Sequence, residues 1–171
     1  KRFDRMNGER LHLHSLAGLT HSNINISGHY SYDNFLRVTR RLTGAQNQVE
    51  EMYKRMVFNI VARNQDDHAK NFSFLMDKEG RWSISPAYDV TYAYGAGYTK
   101  EHQLSLKGKT TAFTREDLLT VAEEHSISSK WAKECIEEIV DTVATFSERA
   151  RNIGIHADLI DRVAKSHRLV L

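Results

Sequence analysis

Residues 63–75 read RNQDDHAKNFSFL, and six consecutive positions within them, Asp66 to Asn71, carry two carboxylates, an imidazole, an ammonium and a carboxamide. What flanks the run decides its setting. Upstream, Val49, Met52, Tyr53, Met56, Val57, Ile60 and Val61 recur at helical spacing, which predicts a helix with a wide apolar face over about residues 46–62. Downstream, residues 72–76 read as a strand, Asp77-Lys78-Glu79-Gly80 as a turn, and residues 81–85 as the return strand of a hairpin. The polar run is a connection between a long helix and a hairpin.

Pro86, the only proline, closes the hairpin, and Tyr88-Asp89-Val90-Thr91 follows at once. The two ends of a hairpin lie side by side, so Asn71 and Asp89 are expected to be neighbours. Phosphoryl transfer needs a carboxylate to orient the attacking hydroxyl and oxygen ligands on a second element to hold Mg2+ against the ATP phosphates. Asp66 and Asn71 stand five residues apart, the Asp-to-Asn spacing of a kinase catalytic loop, and Asp89 takes the place of the second metal aspartate beyond the hairpin. Singly, each is ordinary turn chemistry, and only the set carries the functional reading. Asp67 reads as a plain loop residue.

The rest of the chain supplies context. At 171 residues, 40% hydrophobic and 27% charged, it has the balance of one ordinary globular domain, with no apolar run long enough to span a membrane. Lys and Arg number 24 against 22 for Asp and Glu, so the net charge of +2 gives little sign of a polyanion partner such as nucleic acid. The single cysteine, Cys135, excludes an internal disulfide and a cysteine-based zinc site and fits a reducing, cytoplasmic setting. The opening KRFDR lacks an initiator Met and points to a fragment.

Asn7-Gly8 signals a turn before ERLHLH, a short strand or irregular stretch, and residues 16–29 read as loop. A helix is predicted between Ser31 and Gly44, a strand at 103–106, a capping box at Thr114 and Asp117, and a long helix carrying Trp131 to Phe146 with Gly154 as its cap. His12, His14, His21 and His29 lack zinc-like spacing. Lys107 and Lys109 suit either phosphate contact or a basic surface loop.

Four ordered blocks, KRFDR, DDHAKNFSFL, SPAYDVT and QLSLKGK, closely resemble HipA-like serine/threonine kinases, the toxin components of bacterial toxin–antitoxin systems. The resemblance implies a mainly α fold, a protein-kinase-like C-terminal lobe with helices around a small β-hairpin, residues 1–5 being the end of a hinge strand. It implies Asp66 as catalytic base, Asn71 and Asp89 as Mg2+ ligands, and Lys1, Arg2, Phe3, His68, Lys70 and Tyr88 as nucleotide contacts. It implies ATP as phosphoryl donor, a protein substrate such as an aminoacyl-tRNA synthetase, and an antitoxin partner through which alone DNA is met. The departures are plain: there is no His-Arg-Asp, no Asp-Phe-Gly and no glycine-rich loop, since Lys100 stands where a third glycine would follow Gly95 and Gly97. The N-terminal lobe is therefore expected upstream or on another chain. A small-molecule kinase and a non-catalytic antitoxin-binding scaffold are the alternative readings.

Overall fold

The computed structural model describes residues 2–6 and 8–171; Lys1 and Asn7 lie outside the described residues. Short strands β1 (Arg5–Met6) and β2 (Glu9–Arg10) pair antiparallel. Phe3 and Asp4 form a turn, so among the described residues strand pairing starts at Arg5, later than the hinge reading of residues 1–5 expects.

The predicted hairpin is present as β5 (Ser73–Met76) and β6 (Trp82–Ile84), but it is the larger part of a three-stranded sheet. Strand β3 (His12–Ser15), out of ERLHLH, pairs antiparallel with β5 over its whole length. In the hairpin turn, Asp77 accepts hydrogen bonds from the backbone N–H of Glu79 (3.0 Å) and of Arg81 (2.9 Å). The segment read as loop from residue 16 opens instead with a short helix, α1 (Leu16–Thr20), capped by Ser15, whose Oγ accepts from Gly18 N–H at 3.2 Å. Leu16 N–H donates to Phe72 O and Ala17 N–H to Ala69 O, which seats α1 on the polar connection.

Helix α2 (Tyr32–Thr43) runs between the predicted stops: Ser31 Oγ accepts from Asn34 N–H, and Gly44 takes the left-handed conformation at φ 65° that glycine tolerates without strain. Helix α3 (Gln46–Val61) follows directly. Its apolar face, Met52, Tyr53, Met56, Val57 and Ile60, is wholly buried in one core shared with Tyr32, Phe35 and Leu36 of α2 and with Phe72 and Phe74. Gln48 accepts from Ile84 N–H at 2.7 Å, and Arg55 donates to Ser85 O at 2.9 Å, so α3 also holds the hairpin's return strand.

A pair of two-residue strands, β4 (Tyr30–Ser31) and β7 (Leu104–Ser105), runs parallel and joins the front of α2 to a distant part of the chain. The remainder is helical: α4 (Arg115–Glu124), α5 (Ser129–Ala144), α6 (Phe146–Asn152) and α7 (Ala157–Ser166). The capping box at α4 forms as predicted, Thr114 and Asp117 exchanging side-chain-to-backbone bonds. The long helix expected from Trp131 to Phe146 divides at Thr145, whose hydroxyl donates back to Thr142 O at 2.7 Å. Among the described residues no helix is long and apolar enough to cross a membrane.

Candidate active site

The connection starts with a reversal. After α3, Arg63 adopts φ 58°, and Gln65 N–H donates to Ala93 O (2.9 Å) while Ala93 N–H donates to Arg63 O (3.0 Å). Arg63 then locks the bend: Nε donates to Ser166 O at 2.9 Å, and the guanidinium lies 4.3 Å from the ring centroid of Tyr94. The chain enters the polar run held on both sides.

Asp66 keeps 38% of its side-chain surface exposed, and its Oδ1 lies 3.6 Å from His68 Nε2. The five-residue spacing has a direct structural use. Asn71 Nδ2 donates to Asp66 O at 2.9 Å and Asn71 N–H donates to His68 O at 2.9 Å, closing residues 66–71 into a turn. With its amide nitrogen so engaged, the Asn71 carboxamide oxygen accepts from no described residue. Asn71 and Asp89, the pair expected to be neighbours across the hairpin, both line one cavity of about 480 Å³ together with Phe72, Ala87, Tyr88 and Val90. Asp89 is exposed and sits at φ 53°, a left-handed conformation that Asp tolerates better than most residues. The two oxygen donors are of the hard type that Mg2+ prefers.

Tyr88 ties the hairpin exit to this turn. Its hydroxyl donates to Lys70 O at 2.6 Å and shares a 2.5 Å hydrogen bond with Ser73 Oγ, and its ring stacks on Phe3 at 5.8 Å between centroids. Burial pushes the Tyr88 phenol above its ordinary range; the Ser73 bond opposes this and the Asp89 carboxylate adds to it, so the phenol remains a donor. Phe3, Tyr88 and Lys70 thus share one wall. Lys70 is exposed, and Arg2, also exposed, pairs with Asp4 at 2.7 Å.

Two participants escape a reading of the sequence. Burial raises the Tyr98 phenol, with the Asp66 and Asp67 carboxylates adding to the shift, and its hydroxyl donates to Ile24 O at 3.0 Å. Asp67 is the larger omission. It is fully buried, and it accepts from the Tyr32 hydroxyl, from His102 Nδ1 at 2.7 Å and from Gln103 N–H at 2.7 Å. No local pattern in the sequence points to it, because each donor lies 35 or 36 positions away.

A model of the HipA-like C-terminal domain matches residues 1–146. A curated relative named "Putative kinase Y4dM", from Sinorhizobium fredii (strain NBRC 101917 / NGR234), is 27% identical over 172 residues, covering 95% of this chain and 41% of that protein. A solved structure of the Shewanella oneidensis MR-1 toxin–antitoxin system HipA, in complex with HipB and its operator DNA, has a chain that superimposes with a TM-score of 0.72 at 15% identity, over 96% of this chain and 45% of that one. The chain thus spans less than half the length of either protein.

Proposed function

Because this chain belongs to the HipA-like C-terminal domain family, we propose that it is the C-terminal lobe of a toxin–antitoxin kinase that transfers the γ-phosphoryl group of ATP to a serine or threonine hydroxyl of a protein. The observation that carries the reading is the pairing of Asn71 and Asp89 on one cavity, with the Asn71 carboxamide bonded back to Asp66 O. One short turn thereby couples a partly exposed carboxylate to an oxygen donor that shares its cavity with a second, the arrangement that phosphoryl transfer requires.

In this reading Asp66 accepts a hydrogen bond from the acceptor hydroxyl and aims its oxygen at the phosphorus. Asn71 Oδ1 and the Asp89 carboxylate would hold Mg2+, which offsets charge on the phosphates when bound. His68 and Lys70 would contact the nucleotide, and the Phe3–Tyr88 stack would offer an aromatic surface to the adenine, with the exposed Arg2 close by in the chain. The acceptor is a protein acting in the cytoplasm, in the manner of an aminoacyl-tRNA synthetase. An antitoxin would bind the intact protein and bring it to DNA.

The test is Mg-ATP-dependent labelling of a lysate by the full-length protein, followed by calorimetric titration of Mg-ATP into two variants. Label on serine or threonine of a discrete protein band is expected; label confined to small molecules overturns the protein-kinase reading. Asp89→Asn should weaken Mg-ATP binding more than Asp66→Gln does. Equal affinities would sink the assigned roles.

A further inference from the structure

Asp66 and Asp67 are adjacent carboxylates with opposite surroundings, one 38% exposed and one with no exposed side-chain surface. Burying a carboxylate is costly unless its oxygens are fully hydrogen-bonded, and a plain loop position has no need to bear that cost. Asp67 is satisfied by donors from separate elements: the Tyr32 hydroxyl at the start of α2, and the His102 ring and Gln103 N–H just before β7. His102 Nδ1 faces the Asp67 carboxylate, which accepts only, so the ring donates through Nδ1, while its Nε2 is buried without a partner among the described residues. We infer that Asp67 is a positioning residue of the transfer site: its buried carboxylate, gripped by Tyr32, His102 and Gln103, fixes the loop that presents Asp66 and Asn71. The inference rests on the phosphoryl-transfer reading.

The grip reaches the site on two further sides. Tyr32 Oη accepts from Asn59 Nδ2 at 3.3 Å, and Asn59 Oδ1 accepts from Asn64 Nδ2 at 3.0 Å. Asn59 and Asn64 both line the cavity shared by Asn71 and Asp89. On the other side, Gln103 Nε2 donates to Tyr98 O (2.8 Å) and Glu101 O (3.0 Å), which holds the segment from Tyr98 to Glu101. One carboxylate therefore sets the loop, one wall of the cavity and the segment from Tyr98 to Glu101 relative to each other. Hydroxyl orientation depends on such placement, and a displacement of about 1 Å is enough to cost about 100-fold in rate.

The test uses the full-length protein and two variants. Asp67→Asn keeps the shape but turns an N–H2 toward the donors. It should lower kcat about 100-fold with KM for Mg-ATP within about threefold, and hydrogen exchange at the Gln103 amide should quicken by about tenfold or more. Tyr32→Phe keeps the ring and removes one donor; about a tenfold loss of kcat is expected well below its unfolding temperature. Wild-type kcat in either variant, or a loss confined to KM for ATP, overturns the inference. The exchange measurement needs no turnover. Should the wild-type protein transfer no phosphoryl group, the kinase reading falls, and unchanged exchange at Gln103 in Asp67→Asn separately removes the anchor.

Discussion

The region around Asp66 and Asp67 and the helical body formed by α4 and α5 use the same polar chemistry to different ends. There, polar groups are buried or part-buried and bonded across long stretches of chain: Asp67 to Tyr32 and His102, Ser27 to His102 O, and Ser105 to Gly28 O and Tyr30 O. In the body, ion pairs such as Arg115–Glu137 and Lys130–Glu134 stand in solvent, while Leu118, Val121, Ile136 and Ile139 fill the interior. A buried hydrogen bond of fixed geometry specifies position, whereas an exposed pair in water contributes little and specifies less. Precision is concentrated where chemistry is proposed, and cohesion comes from apolar packing elsewhere.

The difference can be attacked at either end. The largest effect belongs to Asp66→Gln, which should lower phosphoryl transfer by more than about 1,000-fold while leaving the thermal unfolding midpoint within about 2 °C. A comparable fall in midpoint would show that Asp66 is structural. Next comes the apolar side: Phe35→Ala, at a fully buried position, should cost about 3–5 kcal/mol in urea unfolding. A loss below about 1 kcal/mol would mean that the core around α2 carries less of the stability than its burial implies.

A cap lies between these regimes. Thr114→Ala removes the capping box of α4 and should cost about 1 kcal/mol at neutral pH. Burial alone would raise the Asp117 carboxyl, but its bonds from Lys109 and Thr114 outweigh that and hold it below the usual value of 3.8. The folded value being the lower, this contribution is complete above the unfolded value and fades as pH falls through the folded one. The gap between wild type and Thr114→Ala should therefore narrow in acid, and a gap that stays constant would remove Asp117 from the cap. The smallest effect is expected for Glu137→Ala, about 0.5 kcal/mol or less by the same unfolding measurement.

Legibility in the sequence follows the same division. Helices α2 and α3, the hairpin and the Thr114 cap were readable because each depends on neighbours within a few residues: Ser31 and Gly44 bracket α2, and apolar spacing marks α3. The Asp66-to-Asn71 spacing was readable for a related reason, since the Asn71 side chain bonds back within its own turn. Helix α1 was missed because LAGLT is too short to show periodicity, and its burial depends on contacts to Ala69 and Phe72. The break at Thr145 carries neither glycine nor proline. Asp67 looked like an ordinary loop carboxylate because nothing within 30 residues of it supplies its donors.

The parallel union of β4 with β7 has a consequence in time. It brings together groups 75 residues apart, as in the bond from Ser105 Oγ to Tyr30 O, and closing a long loop delays the contacts that depend on it. Helices α2 and α3 can pair as soon as both exist, but Asp67 has no His102 or Gln103 to receive until the second strand arrives. During refolding, helical circular dichroism should therefore recover before catalytic competence. The chain passes through a compact stage in which the body is assembled and the site is still inert.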